Sequence, residues 1–279
     1  DFPINPPKSV PDYRGPKDLP GLTVQVTTRE QLTPNLLNSE TAMLYVPLHI
    51  LAADPEMTGL LVQRGRLAVV LPRIVHDGEM PKLKKDLALL QSIGVKNALV
   101  GNLGLLAPAR EAGMRIHGDF GLNIYNSVSM NVLRSLEVCS ALVSFEMTLP
   151  QIRDLSKAVN AEILAYGRMP LMITEQCLIQ GRTGECTCHL GSTKLTDKTG
   201  AEFPILKDGD SCRSVLFNGK KLSWLDRQDD LAKLGVWAIR LYFTTENARE
   251  VDRVLEDYLN PAPFDPGACT RGLYLRGVE

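Results

Sequence analysis

The chain has 279 residues, of which 44% are hydrophobic and 23% are charged, and its formal net charge is −1. This is the composition of an ordinary globular protein, long enough for one large or two small domains, and it argues against extensive disorder. The near-zero charge excludes a general attraction to nucleic acid, so contact with RNA requires a local basic patch. No apolar run has the roughly 18 residues of a membrane helix and the start lacks a signal-peptide pattern, so we expect a cytoplasmic protein without membrane association.

The start of the chain is rich in proline, with six prolines in the first 20 positions. Such a stretch favours an extended backbone. We therefore expect residues 1–20 to form a linker or tail and residues 21–279 to form a single domain. Because the first residue is Asp1 rather than Met, we also expect the chain to be a fragment or a processed product.

A short aliphatic run followed by a helical stretch recurs eight times along the chain. This alternation is typical of parallel strands joined by crossover helices. Eight units favour a closed (β/α)8 barrel of the TIM type over an open doubly wound sheet, because closure removes exposed strand edges. The predicted strands are Leu22–Val26, Ala42–Val46, Leu67–Leu71, Asn97–Val100, Arg115–Gly118, Ala141–Phe145, Glu162–Tyr166 and Trp237–Tyr242.

Helix signals lie between these runs. Thr28 and Thr148 are each followed three residues later by glutamine, which is the spacing of a capping box. In the segment Pro81–Ile93, apolar residues recur at intervals of three and four, and Gly94 follows as a stop signal. We therefore predict an amphipathic helix of the outer ring over this segment.

Polar side chains follow most of the predicted strands. In a TIM-type barrel the carboxyl ends of the strands meet at one face, where active sites are built. Each residue alone is better explained by the general polarity of loops, so the set is more informative than any single member. The set comprises Arg73, His76, Asn102, Asp119, Asn123, Glu146, Gly167, Arg168 and Arg240. Of these, we expect substrate contacts from Arg73, Asn102, Asp119, Asn123 and Glu146.

The regular spacing of the units breaks once, after Tyr166, where the chain runs on to Trp237 before the next strand. Most of the excess, from about residue 174 to 224, has weak periodicity and many turn residues. The sequence therefore predicts an insertion of these residues between the seventh and eighth strands. It contains four of the six cysteines: Cys177, Cys186, Cys188 and Cys212.

Four thiols within a loop-rich insertion indicate a metal site. Thiolates suit either zinc or an iron–sulfur cluster, and a metal cross-links a segment that has few large apolar residues. No pair of C-x2-C knuckles is present, which favours iron–sulfur over zinc. Cys186 and Cys188 are only two positions apart, so either both are ligands or His189 replaces one of them. Disulfides and incidental thiols are the remaining alternatives.

The other two cysteines carry less information. Cys139 precedes the sixth strand and is predicted to be an ordinary buried thiol, whereas Cys269 lies in a tail rich in glycine and proline. Neither has a histidine and an aspartate nearby in sequence, as a thiol protease site would suggest. The chain also lacks a G-x-S-x-G turn, an H-E-x-x-H helix and a phosphate-binding glycine loop.

One segment closely resembles the signature region of the collagenase-like U32 peptidases. It is the stretch Tyr166–Cys177, which reads YGRMPLMITEQC. Three further segments resemble the same family: His117–Asn126, Ser144–Met147 and Thr270–Tyr274. The resemblance extends from about Pro20 to the end. It implies a barrel fold and the C-terminal portion of a longer member, whose preceding domain completes the active enzyme.

The resemblance implies two activities. The family name implies collagenase-like proteolysis, whereas other members are oxygen-independent hydroxylases of RNA bases or of a quinone precursor, each with a [4Fe–4S] cluster on four cysteines. By that resemblance Cys177, Cys186, Cys188 and Cys212 are cluster ligands, with zinc as the alternative metal.

The residues favour the hydroxylase. A peptidase needs an activated nucleophile or a metal-bound water, and no set for either is recognisable. Between Cys177 and Trp224 there are seven Lys or Arg and five acids, a mild excess that fits either RNA or a solvated loop. We expect Arg168 or Arg240 to anchor a small anionic co-substrate, and Glu175 to act as a proton donor or a helix cap. A peptidase and a non-catalytic binding module with structural cysteines are the alternatives.

Overall fold

The computed structural model describes residues 11–185, 193–209, 211–260 and 267–277. Its thirteen described strands are, in chain order, β1 (Gly21–Gln25), β2 (Met43–Pro47), β3 (Leu67–Val70), β4 (Asn97–Val100), β5 (Arg115–Gly118), β6 (Ser140–Leu142), β7 (Asn160–Gly167), β8 (Pro170–Thr174), β9 (Thr193–Thr196), β10 (Glu202–Lys207), β11 (Ser214–Phe217), β12 (Leu222–Ser223) and β13 (Ala238–Tyr242).

Eight of these strands form a closed parallel barrel. Strands β1 to β7 pair in sequence order, and β13 pairs with both β7 and β1. The predicted fold is therefore confirmed: the chain forms a TIM-type (β/α)8 barrel, and a cysteine-bearing insertion lies between the seventh and eighth barrel strands.

Ten described α-helices accompany the strands. They are α1 (Pro34–Asn38), α2 (Leu48–Ala53), α3 (Pro55–Val62), α4 (Met80–Ile93), α5 (Leu106–Glu111), α6 (Ser127–Ser135), α7 (Leu149–Asp154), α8 (Leu178–Thr183), α9 (Gln228–Ala232) and α10 (Ala248–Leu259). Among the described residues, no helix has the length and apolar character needed to cross a membrane.

The predicted helix signals are confirmed. Helix α4 ends at Gly94, whose φ of 104° lies in the left-handed region that glycine adopts without strain. The amide of Thr148 donates to the side chain of Gln151 at 2.8 Å, and the Gln151 amide donates back to the Thr148 hydroxyl at 3.4 Å, as a capping box requires. The capping box at Thr28 is also present.

Alternate residues of the barrel strands face different surroundings. On β1 and β2, Val24 and Val46 belong to the large apolar core. Tyr45, the residue between two such positions on β2, belongs to a separate small cluster, and Thr23 on β1 donates a hydrogen bond to Glu162 on β7. The residues that point into the barrel therefore include polar and charged groups, which form the floor of the site described below.

The beginning of the described chain contacts the barrel. The carbonyl of Pro11 accepts a hydrogen bond from the Ser156 hydroxyl at 2.7 Å, and the carbonyl of Tyr13 accepts one from the Lys157 amide at 2.8 Å. The guanidinium of Arg134 lies 4.2 Å from the centre of the Tyr13 ring. Within the predicted linker or tail, residues 11–13 are thus held against the segment that leads into β7.

The prediction that Cys139 is a buried thiol is wrong, because its side chain is exposed. Cys139 immediately precedes β6, and its neighbours Val138 and Ser140 are both buried. Successive side chains of an extended backbone point in opposite directions, so the residue between two buried neighbours faces outward.

The insertion forms a second sheet. Its four antiparallel strands lie in the order β8, β11, β10, β9, and β12 then returns to pair antiparallel with the end of β7. The residues that precede and follow this sheet in the chain are in contact: the amide of Asn218 donates to the carbonyl of Met169 at 2.9 Å. The insertion therefore leaves and re-enters the barrel at a single place.

The capping residue of α10 gives a first testable prediction. The Asn247 side chain accepts hydrogen bonds from the amides of Arg249 and Glu250, at 3.0 and 3.1 Å. We expect Asn247→Ala to lower the free energy of unfolding by about 1 kcal/mol, because both amides lose a partner. Urea denaturation measures the change. Asn247→Asp keeps an acceptor at the same place and serves as the control, and equal losses for the two variants would argue against the capping role.

Candidate active site at the barrel mouth

A cavity of about 880 Å³ lies between the carboxyl ends of β1, β2, β3 and β13 and the inserted sheet. Its barrel side includes Gln25, Leu48 and Tyr242, and its roof includes Asp208 and Phe217 from the insertion. Cavities at this face are the usual ligand sites of TIM-type barrels. The inserted sheet thus covers the barrel mouth.

Arg213 ties the inserted sheet to the barrel. Its guanidinium donates to Glu175 Oε1 at 2.8 Å, to Glu79 Oε2 at 2.9 Å and to the carbonyl of Ile74 at 3.3 Å. Nε2 of His76 lies 2.9 Å from the same Glu175 oxygen. We call these four side chains, Glu79, Glu175, His76 and Arg213, the Arg213 bridge.

The Arg213 bridge determines the protonation state of Glu175. The hydrogen bonds from Arg213 and then from His76 lower the pKa of Glu175, which keeps its carboxyl group ionised. An ionised carboxylate is an acceptor, so this environment does not favour the predicted role as proton donor. The alternative expectation, a helix cap, also fails to describe it, because Cys177 occupies the N-cap position of α8.

A buried charged network lies in the barrel beneath the cavity. The Arg240 guanidinium donates to both Glu162 oxygens, at 3.0 and 2.5 Å, and to Asp119 Oδ1 at 2.6 Å. It also donates to Gln25 Oε1 at 2.9 Å and lies 4.6 Å from the centre of the Tyr45 ring. We call this set, Gln25, Tyr45, Asp119, Glu162 and Arg240, the floor network.

The predicted location of Arg240 is therefore wrong. It lies in the middle of β13 rather than after a strand, and only 1% of it is exposed. A residue within a strand points either inside or outside the barrel, and Arg240 points inside, where acidic and amide side chains occupy its donors. Asp119 does follow its strand, but it is buried beside Arg240.

The other predicted substrate residues are spread over the barrel face. The Asn102 side chain donates to the carbonyl of Arg73 at 3.1 Å, so these two lie together. Arg73 also stacks on Phe120, at 4.9 Å from the ring centre. Asn123 and Glu146 are exposed. Within the described ranges, none of the predicted catalytic or substrate-binding residues lines the cavity itself, and their roles stay predictions.

Arg168 differs from Arg240 in its partners. Its guanidinium donates to the carbonyls of Asn218 and Gly219 and to the Thr245 hydroxyl. In the part of the chain that the structure describes, no carboxylate pairs with it. Arg168 is half-buried and so carries a charge that no described acidic group neutralises.

The two described cysteines of the insertion lie at one end of the second sheet. Cys177 follows β8 and Cys212 precedes β11, and these strands pair with Thr174 opposite Ser214. The amide of Leu178 also donates to the Ser214 hydroxyl at 3.2 Å. Both thiols are free of disulfide bonds. Residues separated by 35 positions in the sequence are therefore brought to the same strand ends.

The predicted four-cysteine site is only half described. Cys186 and Cys188, together with the alternative ligand His189, lie outside the described residues. Across the described ranges, no group of three or more His, Cys, Asp or Glu side chains is placed to hold a metal ion. The metal site stays a prediction.

None of the residues that line the cavity was predicted as a site residue from the sequence, and Gln25, Tyr242 and Asp208 are three examples. Gln25 and Tyr242 are the last residues of β1 and β13. A search that included the last residue of each strand, and not only the residues after it, would have found them. Asp208 lies in the turn between β10 and β11, where the sequence carries no signal that distinguishes it from neighbouring acids.

Comparisons with known proteins agree with the sequence resemblance. The sequence profile of peptidase family U32 matches residues 56–260, which is more than half of the chain. An uncharacterized protease of Methanocaldococcus jannaschii is 24% identical over 124 residues, covering 40% of this chain and 30% of the relative. The match thus spans less than a third of that relative's length.

Solved structures with a similar arrangement include a U32 peptidase. It has 10% sequence identity and a TM-score of 0.42, with 61% of this chain and 75% of that chain covered. A mutant tryptophan synthase α-subunit from Pyrococcus furiosus has 10% identity and a TM-score of 0.49, with 88% of this chain and 99% of that chain covered.

Proposed function

Because this chain belongs to peptidase family U32, we propose that it is part of a [4Fe–4S] enzyme that hydroxylates RNA bases. The observation that carries the proposal is the placement of Cys177 and Cys212 at the same end of the paired strands β8 and β11. These strands also roof the barrel mouth, so Cys212, between the lining residues Ser211 and Arg213, would hold such a group beside the cavity. Cys186 and Cys188 supply the other two ligands.

The described thiols fit a cluster. Both are free of disulfide bonds, and Sγ of Cys177 accepts a hydrogen bond from the Gln180 amide at 3.4 Å, which orients the sulfur. A bound cluster would supply one-electron chemistry. Zinc is the alternative metal for the same donors.

The chain's own residues hold the reactants and limit water. The Arg213 bridge fixes the inserted sheet over the barrel mouth, which shields the cavity from solvent. Arg168, with no described carboxylate partner, anchors the small anionic co-substrate. A hydroxylated co-substrate keeps the reaction balanced without O2, because its hydroxyl group exchanges with a hydrogen of the base. The preceding domain of the full-length chain completes the RNA-binding surface.

A peptidase is the second candidate. His76 and Glu175 are paired at 2.9 Å, and Glu175 is two positions from the free thiol of Cys177. A histidine oriented by a carboxylate is the usual base of a thiol nucleophile. Because His76 and Glu175 are already part of the Arg213 bridge, we place the peptidase after the hydroxylase.

Cysteine replacement tests the metal site. Anaerobically purified protein is expected to be brown, to absorb near about 400 nm as iron–sulfur proteins do, and to contain iron and acid-labile sulfide. Cys177→Ser and Cys212→Ser should each abolish most of the bound iron, because each removes one ligand. Cys139→Ser is the matched control, since this thiol is exposed and lies immediately before β6, outside the insertion. A colourless, zinc-loaded protein, or full iron content in Cys212→Ser, would refute the proposal.

Activity separates the two candidates. The full-length protein should be incubated with RNA under anaerobic reducing conditions, and the digested nucleosides analysed by mass spectrometry for the gain of one oxygen atom. A parallel incubation with gelatin, with and without a chelator, tests proteolysis. Modified nucleosides with intact gelatin support the hydroxylase, whereas gelatin fragments with unmodified RNA support the peptidase.

A further inference from the structure

The Arg213 bridge adjoins both described thiols of the insertion. Glu175 stands two positions before Cys177, and Arg213 directly follows Cys212. Strands β8 and β11 are paired up to the residue before Glu175 and the residue after Arg213, so the same antiparallel register sets these two side chains opposite each other. The ion pair between them, at 2.8 Å, therefore closes the end of the paired strands, and the two thiols lie immediately beyond it.

The same arginine joins these strand ends to the barrel. Arg213 donates to Glu79, the residue that precedes α4, at 2.9 Å, and to the carbonyl of Ile74, in the loop after β3, at 3.3 Å. Only 6% of the Arg213 side chain is exposed, so water does not readily replace these acceptors. Hydrogen bonds between a guanidinium and a carboxylate are among the stronger ones in proteins. Arg213 is thus held between a carboxylate of the roof and a carboxylate of the barrel.

The turn between β10 and β11 adds a second contact with the barrel. The Asp208 amide donates to the carbonyl of Arg213 at 2.9 Å, which ties this turn to the bridge. Gly209 has a φ of 58°, and a Cβ at this position would lie 3.3 Å from Nδ1 of His49 on α2. Glycine therefore permits both the backbone conformation and the close approach to α2. The segment that leads to Cys212 is held against the barrel at two separate places.

The roof is attached at both ends of its paired strands. Its chain leaves and re-enters the barrel where Met169 and Asn218 are hydrogen-bonded, and the Arg213 bridge lies at the opposite ends of β8 and β11. If the bridge opens, the roof can turn about Met169 and Asn218 and uncover the cavity. The state of the two thiols beside the bridge therefore bears on access to the cavity.

We propose that Arg213 couples the metal site to closure of the roof. The bridge holds Cys177 and Cys212 in place for a metal, and ligation of these thiols holds the strand ends as the bridge requires. Arg213 is thus a positioning residue that acts through the two thiols. Because such coupling is reciprocal, loss of the bridge weakens metal retention and loss of the metal loosens the roof. The proposal rests on the proposed function only for the presence of a metal at these thiols, and it applies to a cluster and to zinc alike.

Metal release from Glu79→Gln tests the coupling without turnover. This change removes the barrel's charge from the bridge and leaves the insertion unaltered. Anaerobically purified, full-length protein is mixed with a chromogenic metal chelator, and the release rate is followed by absorbance. We expect release about five- to tenfold faster than in the parent, which is at the lower end of typical coupling between sites. Glu111→Gln is the matched control, because it breaks an ion pair with Lys84 at 3.0 Å away from the roof, and it should release metal at the parent's rate.

Two substitutions of Arg213 separate positioning from bulk packing. Lysine keeps a cation between Glu79 and Glu175, whereas methionine keeps only a chain of similar length. Arg213→Lys should therefore release metal more slowly than Arg213→Met. Equal release rates for these two variants, or for Glu79→Gln and the parent, would overturn the proposal.

Hydrogen exchange tests the opposite direction of the coupling. Backbone amides of β8 and β11 should exchange faster in the metal-free protein than in the loaded protein, whereas those of the barrel strand β4 should not change. Equal exchange of β8 and β11 in the two forms would contradict the proposal. A parent protein that binds no metal would refute the proposed function and this inference with it. A metal-loaded parent whose release rate does not depend on Glu79 would refute the coupling alone.

Discussion

Replacing Arg240 by methionine is expected to lower the free energy of unfolding by about 3–5 kcal/mol, because the change leaves Glu162 and Asp119 buried without their cation. Glu162 is fully buried and Asp119 is 6% exposed, so water cannot replace the lost guanidinium. Methionine keeps an unbranched chain of similar length, which limits the contribution of a cavity. Urea denaturation of the full chain measures the loss.

Two comparisons separate burial of charge from the simple loss of an ion pair. Arg153→Met breaks a solvent-exposed pair with Asp154 and should leave the free energy of unfolding nearly unchanged. The triple variant Arg240→Met, Glu162→Gln and Asp119→Asn should recover part of the stability lost by Arg240→Met alone, because no unpaired charge remains. If the Arg153 and Arg240 variants lost equal stability, the floor network would not have the energetic role assigned to it.

Acidification is expected to remove about 3 kcal/mol of stability through His117 alone, between pH 6.5 and pH 4. Burial in the barrel, reinforced by Arg115 and Arg240, lowers the pKa of His117 from 6.5 to about 4. The unfolded chain therefore binds a proton at pH values where the folded protein does not. Stability from this group is complete above pH 6.5 and falls as the pH drops towards 4, which is the direction expected for a lowered pKa.

The contacts of His117 explain why the neutral form is retained. Nδ1 lies 2.7 Å from the Ser140 hydroxyl, whereas Nε2 is buried without a partner among the described residues. The test compares unfolding free energies at pH 7 and pH 4.5 for the parent and for His117→Asn. The difference between the two pH values should be smaller in the variant, whatever its absolute stability. An identical pH dependence in both proteins would rule out His117 as the group responsible.

The fold was predictable because its determinants are local and repeated. Each of the eight apolar runs corresponds to a barrel strand, and helix α4 begins within one residue of its predicted start. Strand-forming runs, capping boxes and a glycine stop are read directly from neighbouring residues. Closure of the barrel was predicted from the number of units, because pairing the first strand with the eighth leaves no exposed strand edge.

The site was less predictable because it depends on direction and distance. The sequence places Arg240 near a strand end but does not state that its side chain points inward to Glu162. Likewise Asp208 becomes informative only once the inserted sheet is folded back over β1 and β13. The cysteines of the insertion differ from Arg240 and Asp208, because their clustering is visible in the sequence itself, whereas the structure describes only Cys177 and Cys212.

The meeting of Met169 and Asn218 has a consequence for how such a protein diversifies. A segment whose two ends touch behaves as a module, because it can be lengthened, exchanged or removed while the surrounding chain keeps its path. Joining residue 169 to residue 218 through a short glycine linker should leave a folded eight-stranded barrel that has lost its roof and the four cysteines of the insertion. The barrel would then accept a different roof, and with it a different chemistry, at one splice point.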